Sequence, residues 1–233
     1  MSLSGGKKRP TSSISSSKLR NLAKMISWLD GYAALSCGDP MKLERLAKSE
    51  SDSIEEVGKV WNEVRRDVKE IAMLPSASDD IVRTSKYLNV ARIAITLMGV
   101  GVILVFLLLS SFIPALRNSS VRIAVLIVVA SLYYVVFFSY FLLGRRLNRL
   151  VAAYFEKHQG EVSKERRHAK AATQRLIDIL AMKIRASPEE NPENYKFKLL
   201  NDDYSNVRIL QRNEKRPDEV VAVVKGRMTP DNK

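Results

Sequence analysis

The side chains that most often carry enzymatic chemistry are sparse in this sequence. It contains one cysteine, Cys37, and two histidines, His158 and His168. A cysteine nucleophile needs a neighbouring base, but both histidines lie far downstream in a charged helical stretch. A structural zinc site built from Cys and His needs four such ligands, and the chain has three. We therefore interpret Cys37 as a small buried residue near a helix end.

Two carboxylate pairs and one glycine-containing stretch are the remaining candidates for chemistry. Asp79-Asp80 and Asp202-Asp203 resemble metal ligands in type, but helix-cap and turn roles already account for them. The Gly5-Gly6-Lys7-Lys8 stretch lacks the spacing of a phosphate-binding loop. We therefore predict that the protein is not an enzyme. We expect no catalytic residues, metal ligands, cofactor or small-molecule substrate.

The apolar residues are concentrated in two uncharged segments, residues 93–116 and 123–144. Each segment reaches the roughly 20 residues needed to cross a hydrocarbon core about 30 Å thick. Only residues 117–122 separate them, which is too short for anything but a turn. The sequence therefore predicts two transmembrane helices in an antiparallel hairpin.

Basic residues flank the outer ends of both segments. Lys86 and Arg92 precede the first, and Arg145, Arg146 and Arg149 follow the second, whereas the turn holds only two arginines. Positively charged flanks stay in the cytoplasm, so both termini are expected there. We predict that these five residues contact anionic lipid headgroups, which attract each such cation by about 1 kcal/mol.

The regions on either side of the hairpin have the periodicity of packed helices. Apolar residues recur at intervals of three and four, which predicts a cytoplasmic helical bundle or coiled coil. We expect its packing surfaces, for one another or for a protein partner, to contain Trp28, Val57, Trp61, Val64, Val68, Leu176 and Leu180.

Local signals predict where these helices begin and end. Gly38 is expected to stop the first helix, and Asp39 to cap the second, because proline follows it. Ser53 and Glu56 have the spacing of a capping box and predict the start of a third helix.

These signals divide the chain into five parts. Residues 1–17 are predicted to form a disordered basic tail, 18–80 a helical arm, 81–146 the transmembrane hairpin, 147–186 a cytoplasmic helix, and 187–233 a small β module. Three strands are expected within residues 195–200, 207–211 and 219–225. The predicted fold class is a mainly α membrane protein, with a two-helix hairpin, helical arms and a C-terminal β module.

The formal net charge of +13 indicates a negatively charged partner. Our leading hypothesis is a membrane-anchored structural or interaction subunit that binds protein partners through its cytoplasmic helices. One alternative is a homo-oligomeric channel lined by Ser131, Tyr134 and Ser139. Another is a basic membrane-bound adaptor for ribosomes or nucleic acid.

Overall fold

A computed structural model describes residues 15–36, 38–104, 119–187, 189–214 and 216–225. It confirms a mainly helical chain with a small three-stranded sheet at its C-terminal end. The helices are α1 Ser16–Ala33, α2 Pro40–Ser51, α3 Glu55–Met73, α4 Asp79–Leu104, α5 Ser119–His158 and α6 Ser163–Ala186, with short 3-10 turns at Leu74–Ala77 and Pro192–Asn194. The strands are β1 Phe197–Leu199, β2 Val207–Asn213 and β3 Arg216–Val224.

Several predicted features lie outside the described residues. These are most of the N-terminal tail, Cys37, the second half of the first uncharged segment and the last eight residues. The described residues form two compact units. The bundle unit comprises those of residues 1–72 and 159–233, and the helix-pair unit comprises those of residues 73–158.

Helices α1, α3 and α6 form the core of the bundle unit. Contacts between side chains of α3 and α6 show that the two helices are antiparallel: Glu56 pairs with Lys183 near one end, and Asp67 with His168 near the other. At the end of α1, the Arg166 guanidinium of α6 donates to the Ala33 carbonyl at 3.0 Å. This cation satisfies a carbonyl left free at a helix C-terminus, so it stabilises the end of α1.

The predicted helix boundaries were partly right. Asp39 caps α2 as predicted, with its carboxylate accepting from the Met41 amide at 3.0 Å. The capping box at Ser53 was wrong, because the Ser53 amide donates to the Glu50 carbonyl and α3 begins at Glu55. The amide is thus already used by the turn that follows α2.

The end of α1 also differs from the prediction. The helix ends at Ala33, before Gly38 is reached. The Ser36 amide donates to the Gly31 carbonyl at 2.7 Å, and the Leu35 amide to the Tyr32 carbonyl at 3.1 Å. This pair of bonds is a Schellman motif, and Leu35 occupies its left-handed position with a φ of 57°.

The sheet has the strand order β1-β3-β2, with both pairings antiparallel. β3 is the central strand because Val220, Ala222 and Val224 are buried and the other two strands pair with its edges. The outer edge of β1 contacts α1, where the Lys198 amide donates to the Ser27 hydroxyl at 2.9 Å. Packing against α1 therefore covers one edge of a sheet that is too small to be stable alone.

Helices α4 and α5 pack against each other in the helix-pair unit. Leu88 lies beside Gly144, where an added Cβ would be 3.9 Å from the leucine Cδ1. A parallel pair with this register would separate Leu104 from Ser119 by about 60 Å, whereas fifteen residues of chain span at most about 54 Å. The two helices are therefore antiparallel.

Candidate functional site

The five cations predicted to contact headgroups all lie on the helix-pair unit. Lys86, Arg92, Arg145, Arg146 and Arg149, here called the basic belt, are exposed helical residues. Among the described residues, none of the five has a carboxylate within ion-pair distance. Given the register of Leu88 beside Gly144, Lys86 lies level with Arg146, Arg92 with Tyr140, and Arg149 with Arg83. The belt thus presents positive charge over about 14 Å along the helix pair.

The surface next to the belt is apolar. Within the part of the chain that the structure describes, α5 alone is long and apolar enough to cross a membrane, and none of its apolar window is buried. Its large exposed side chains include Ile127, Val128, Leu132, Val135 and Phe138. The guanidinium of Arg145 lies 4.3 Å from the centre of the Phe141 ring, so the belt and the apolar surface are continuous.

The predicted packing residues of the cytoplasmic helices lie in the bundle unit. Six of them belong to its buried core: Val57, Trp61, Val64, Val68, Leu176 and Leu180. Trp28 differs, because 40% of its surface is exposed. Trp28 therefore belongs only partly to the core, as is common for tryptophan.

Trp28 lines a cleft of about 420 Å³ between α1, the α1–α2 connection and β1. The Tyr32 hydroxyl at this cleft donates to the Gly38 carbonyl at 2.8 Å, and the Lys198 ammonium pairs with Glu219 at 2.7 Å. These polar groups already have partners, and the described residues that line the cleft include no histidine.

The bundle unit also contains a buried carboxylate, Asp30, that the sequence did not identify as a functional candidate. Asp30 of α1 is fully buried and accepts hydrogen bonds from the Leu200 amide, the Asn201 side chain and the Tyr204 hydroxyl. Burial, reinforced by the Asp30 carboxylate, raises the pKa of the Tyr204 hydroxyl well above its usual range. The group fixes the loop after β1 onto α1, which is a structural role. An aspartate within an apolar stripe was the signal that was overlooked.

The described residues contain one group of carboxylates that could hold a metal ion. Oxygens of Asp67, Glu70 and Glu165 lie within 4.8 Å of one another. Two of these groups have partners in the chain: Asp67 with the His168 ring at 2.9 Å, and Glu70 with the Arg66 guanidinium at 2.8 Å. Glu165 differs, because its Oε2 atom is buried without a hydrogen-bond partner among the described residues.

The other candidate chemical groups are also dispersed. The His158 ring stacks on Tyr154 with centroids 4.2 Å apart, in the helix-pair unit. Asp202 pairs with Arg212 at 2.9 Å, while a hydrogen bond from Lys170 lowers the pKa of Asp203. Within the bundle unit, each of these two aspartates therefore pairs with a cation of its own.

Comparison with known proteins gives no further guide, because no protein-family model, curated protein or solved structure matches this chain.

Proposed function

We propose that this protein is a membrane-anchored structural or interaction subunit. In this proposal, residues 93–116 and 123–144 cross the bilayer as a two-helix hairpin with both termini in the cytoplasm. The bundle unit then presents its surface to protein partners close to the membrane, as part of a larger complex.

The observation that carries the proposal is the exposed apolar surface of α5 ending at the basic belt. A long apolar helix of a water-soluble domain is normally buried in its core, but this one has an exposed apolar window. A bilayer would cover that surface with hydrocarbon and place anionic headgroups next to the unpaired cations.

The distribution of charge supports lipid as the acidic partner. Residues 81–151 contain eight Lys or Arg and no Asp or Glu. The rest of the chain contains 30 basic and 25 acidic residues, a net charge of +5 spread over more than twice as many residues. A nucleic-acid adaptor would need a net basic face on its cytoplasmic part. The charge excess instead favours the membrane surface.

The serine hydroxyl groups within α5 help to judge the alternative of a homo-oligomeric channel. Ser131 and Ser139 donate to the carbonyls of Ile127 and Val135, four residues earlier, at 2.7 and 2.8 Å. Such bonds satisfy the hydroxyl proton without water. The anchoring role is therefore better supported than a pore lined by these serines.

Protein partners are expected at the Trp28 cleft. Tryptophan is enriched among residues that contribute most to protein interfaces. The cleft combines this exposed indole with the ammonium of Lys42, for which no carboxylate partner exists among the described residues. We therefore propose this cleft as the partner-binding surface of the bundle unit.

Cysteine labelling would test the topology. In a Cys37→Ser background, single cysteines are placed at Lys59 in α3, at Met182 in α6 and at Ser120 near the predicted turn. In sealed right-side-out vesicles, a membrane-impermeant maleimide should label only the Ser120→Cys protein. The other two should react after the vesicles are opened. Labelling of either cytoplasmic position in intact vesicles, or release of the chain by alkaline carbonate, would contradict the proposal.

A further inference from the structure

Two tyrosines lie at the centre of the second uncharged segment. Tyr133 is eleven residues from Arg122, and Tyr134 is eleven residues from Arg145. At 1.5 Å per residue, each is about 17 Å from the nearer charged end. A phenol side chain is much shorter than this, so neither hydroxyl can reach the headgroups. If α5 spans the bilayer, both hydroxyls lie near its midplane.

Tyr134 is the more exposed of the two, with 66% of its surface accessible against 38% for Tyr133. Its ring stacks on Phe138 with centroids 6.3 Å apart, which holds it on the helix surface. Among the described residues, no group forms a hydrogen bond with its hydroxyl. Removing a hydroxyl from water without a hydrogen bond costs roughly 2 to 7 kcal/mol. Contact with lipid alone therefore leaves this group unsatisfied.

Tyr134 belongs to a stripe of exposed residues that recur every three or four positions along α5. The stripe comprises Ile127, Ser131, Tyr134, Phe138 and Phe141. It differs from the half-buried row at Val136, Tyr140, Leu143 and Leu147. This spacing allows two helices to pack with left-handed crossing. The exposed row Val128, Leu132, Val135, Ser139 and Leu142 has the same spacing, so the period alone does not select the stripe, and its two midplane hydroxyl groups carry the argument.

The hydroxyl groups of Ser131 and Tyr134 indicate which kind of molecule binds this stripe. The Ser131 hydroxyl donates to Ile127 within its own helix, which leaves its oxygen free to accept. Tyr134, one helical turn away on the same stripe, has a free proton to donate. All copies of the chain cross the membrane in the same orientation, so Tyr134 of one copy lies about 4.5 Å in depth from Ser131 of another, a distance that a tyrosine side chain can span.

We propose that two copies of this chain pair through the α5 stripe, with Tyr134 of each copy donating to Ser131 of the other. This inference rests on the proposed membrane span and identifies one partner of the anchor as a second copy. The pairing is two-fold symmetric, so it closes as a dimer. It gives the Tyr134 hydroxyl of each copy a hydrogen-bond acceptor without a water-filled pore.

Crosslinking of the full chain in native membranes would test the pairing. Single cysteines in the Cys37→Ser background are placed at stripe positions Ser131, Tyr134 and Phe138, and at the off-stripe positions Leu132 and Val135. Mild oxidation should give disulfide-linked dimers from the three stripe positions and little from the two controls. Equal crosslinking at all five positions, or none at any, would overturn the proposal.

A matched pair of conservative substitutions tests the hydrogen bond itself. Tyr134→Phe removes both hydrogen bonds of the symmetric dimer and should raise its dissociation constant about eight- to three-hundred-fold, since one such bond between membrane helices contributes about three- to eighteen-fold. Tyr133→Phe removes the same group at the same depth but off the stripe, and should leave dimerisation unchanged. Equal effects of the two substitutions would contradict the assignment.

Carbonate extraction separates this inference from the proposed function. If the chain resists alkaline extraction but gives no stripe-specific dimer, the pairing is wrong and the membrane anchor stands. If carbonate releases the chain, the anchor itself is wrong and the pairing fails with it. Closed assemblies of four or more copies that conduct ions would overturn the dimer in favour of a channel.

Discussion

The bundle unit and the helix-pair unit use apolar residues in opposite ways. In the bundle unit, residues such as Leu19, Leu176 and Ile177 are enclosed, and basic and acidic residues are nearly balanced. In the helix-pair unit, residues such as Val128 and Phe138 are exposed, and no acidic residue lies between positions 81 and 151. Apolar content alone therefore does not distinguish the units. The position of the apolar surface and its accompanying charge differ between the units, and the proposed surroundings, water for one and lipid for the other, follow from that difference.

Truncating a core leucine should give the largest effect and should be confined to the bundle unit. Leu176 is buried in α6, so Leu176→Ala should lower the free energy of unfolding by about 2 to 5 kcal/mol. Denaturant unfolding of the detergent-solubilised chain, followed through the fluorescence of buried Trp61, measures this change.

Met182 provides a matched control on the same helix, because 51% of its surface is exposed. Met182→Ala should change the stability by no more than about 0.5 kcal/mol. Similar losses from both substitutions would mean that the core of the bundle unit is not organised around Leu176. The contrast between the two units would then lose its basis.

A charge placed on the apolar surface of α5 should affect membrane insertion and leave the bundle unit intact. Val128 is 59% exposed and lies six residues inside the uncharged segment from Arg122. Arginine costs about 2.5 to 3.5 kcal/mol at the centre of a membrane helix, and this is the upper bound for the cost at Val128. The yield of carbonate-resistant protein should therefore fall for Val128→Arg. Asn148→Arg adds the same charge beside the basic belt and should insert normally. Normal insertion of both variants would place the α5 surface outside the hydrocarbon.

Alkaline pH should destabilise the bundle unit through Tyr204. An unfolded tyrosine ionises near pH 10, whereas the pKa of buried Tyr204 is raised above that value in the folded chain. The stabilising contribution is therefore complete below pH 10 and lost as the pH rises, at about 1.4 kcal/mol per pH unit. Tyr204→Phe should reduce the slope of unfolding free energy against pH above 10. An unchanged slope would assign the alkaline loss to other groups.

The spacing of apolar residues and the amino-acid composition of each segment were enough to predict much of the fold. The helical arms, the start of α2 at Asp39 and the three C-terminal strands follow from local patterns of apolar, capping and β-branched residues. Strand order did not follow, because β3 becomes central only through pairing with segments on both sides. The two-span topology and its orientation remain predictions from hydropathy and flanking charge.

The candidate sites were less accessible to sequence reasoning. The basic belt is visible in the sequence as two basic groups, one before the first uncharged segment and one after the second, without acidic residues between them. Asp30 shows one signal, its place in an apolar stripe, but its hydrogen-bond partners lie about 170 residues later and become neighbours only after folding. Trp28 was among the residues expected to pack or to bind a partner, but the cleft beside it was not predicted, because Lys198 of β1 reaches it only in the folded chain.

The smallest predicted effect concerns the end of α1, where local signals failed. Leu35 has a φ of 57°, a conformation that costs a side-chain-bearing residue about 1 to 2 kcal/mol and glycine almost nothing. Part of that gain is offset by the greater entropy of an unfolded glycine. Leu35→Gly should therefore raise the free energy of unfolding by about 0.5 to 1 kcal/mol, without changing membrane retention.

The adjacent residue provides the control for this prediction. Ala34 has a φ of −92°, which alanine adopts without strain, so Ala34→Gly should lower stability by about 0.5 to 1 kcal/mol. Opposite signs at neighbouring positions would identify backbone conformation as the cause, since both substitutions remove a side chain from the same turn. A loss at both positions would show that contacts of the Leu35 side chain outweigh its strain. Urea unfolding curves of the two variants, compared at equal protein concentration, distinguish these outcomes.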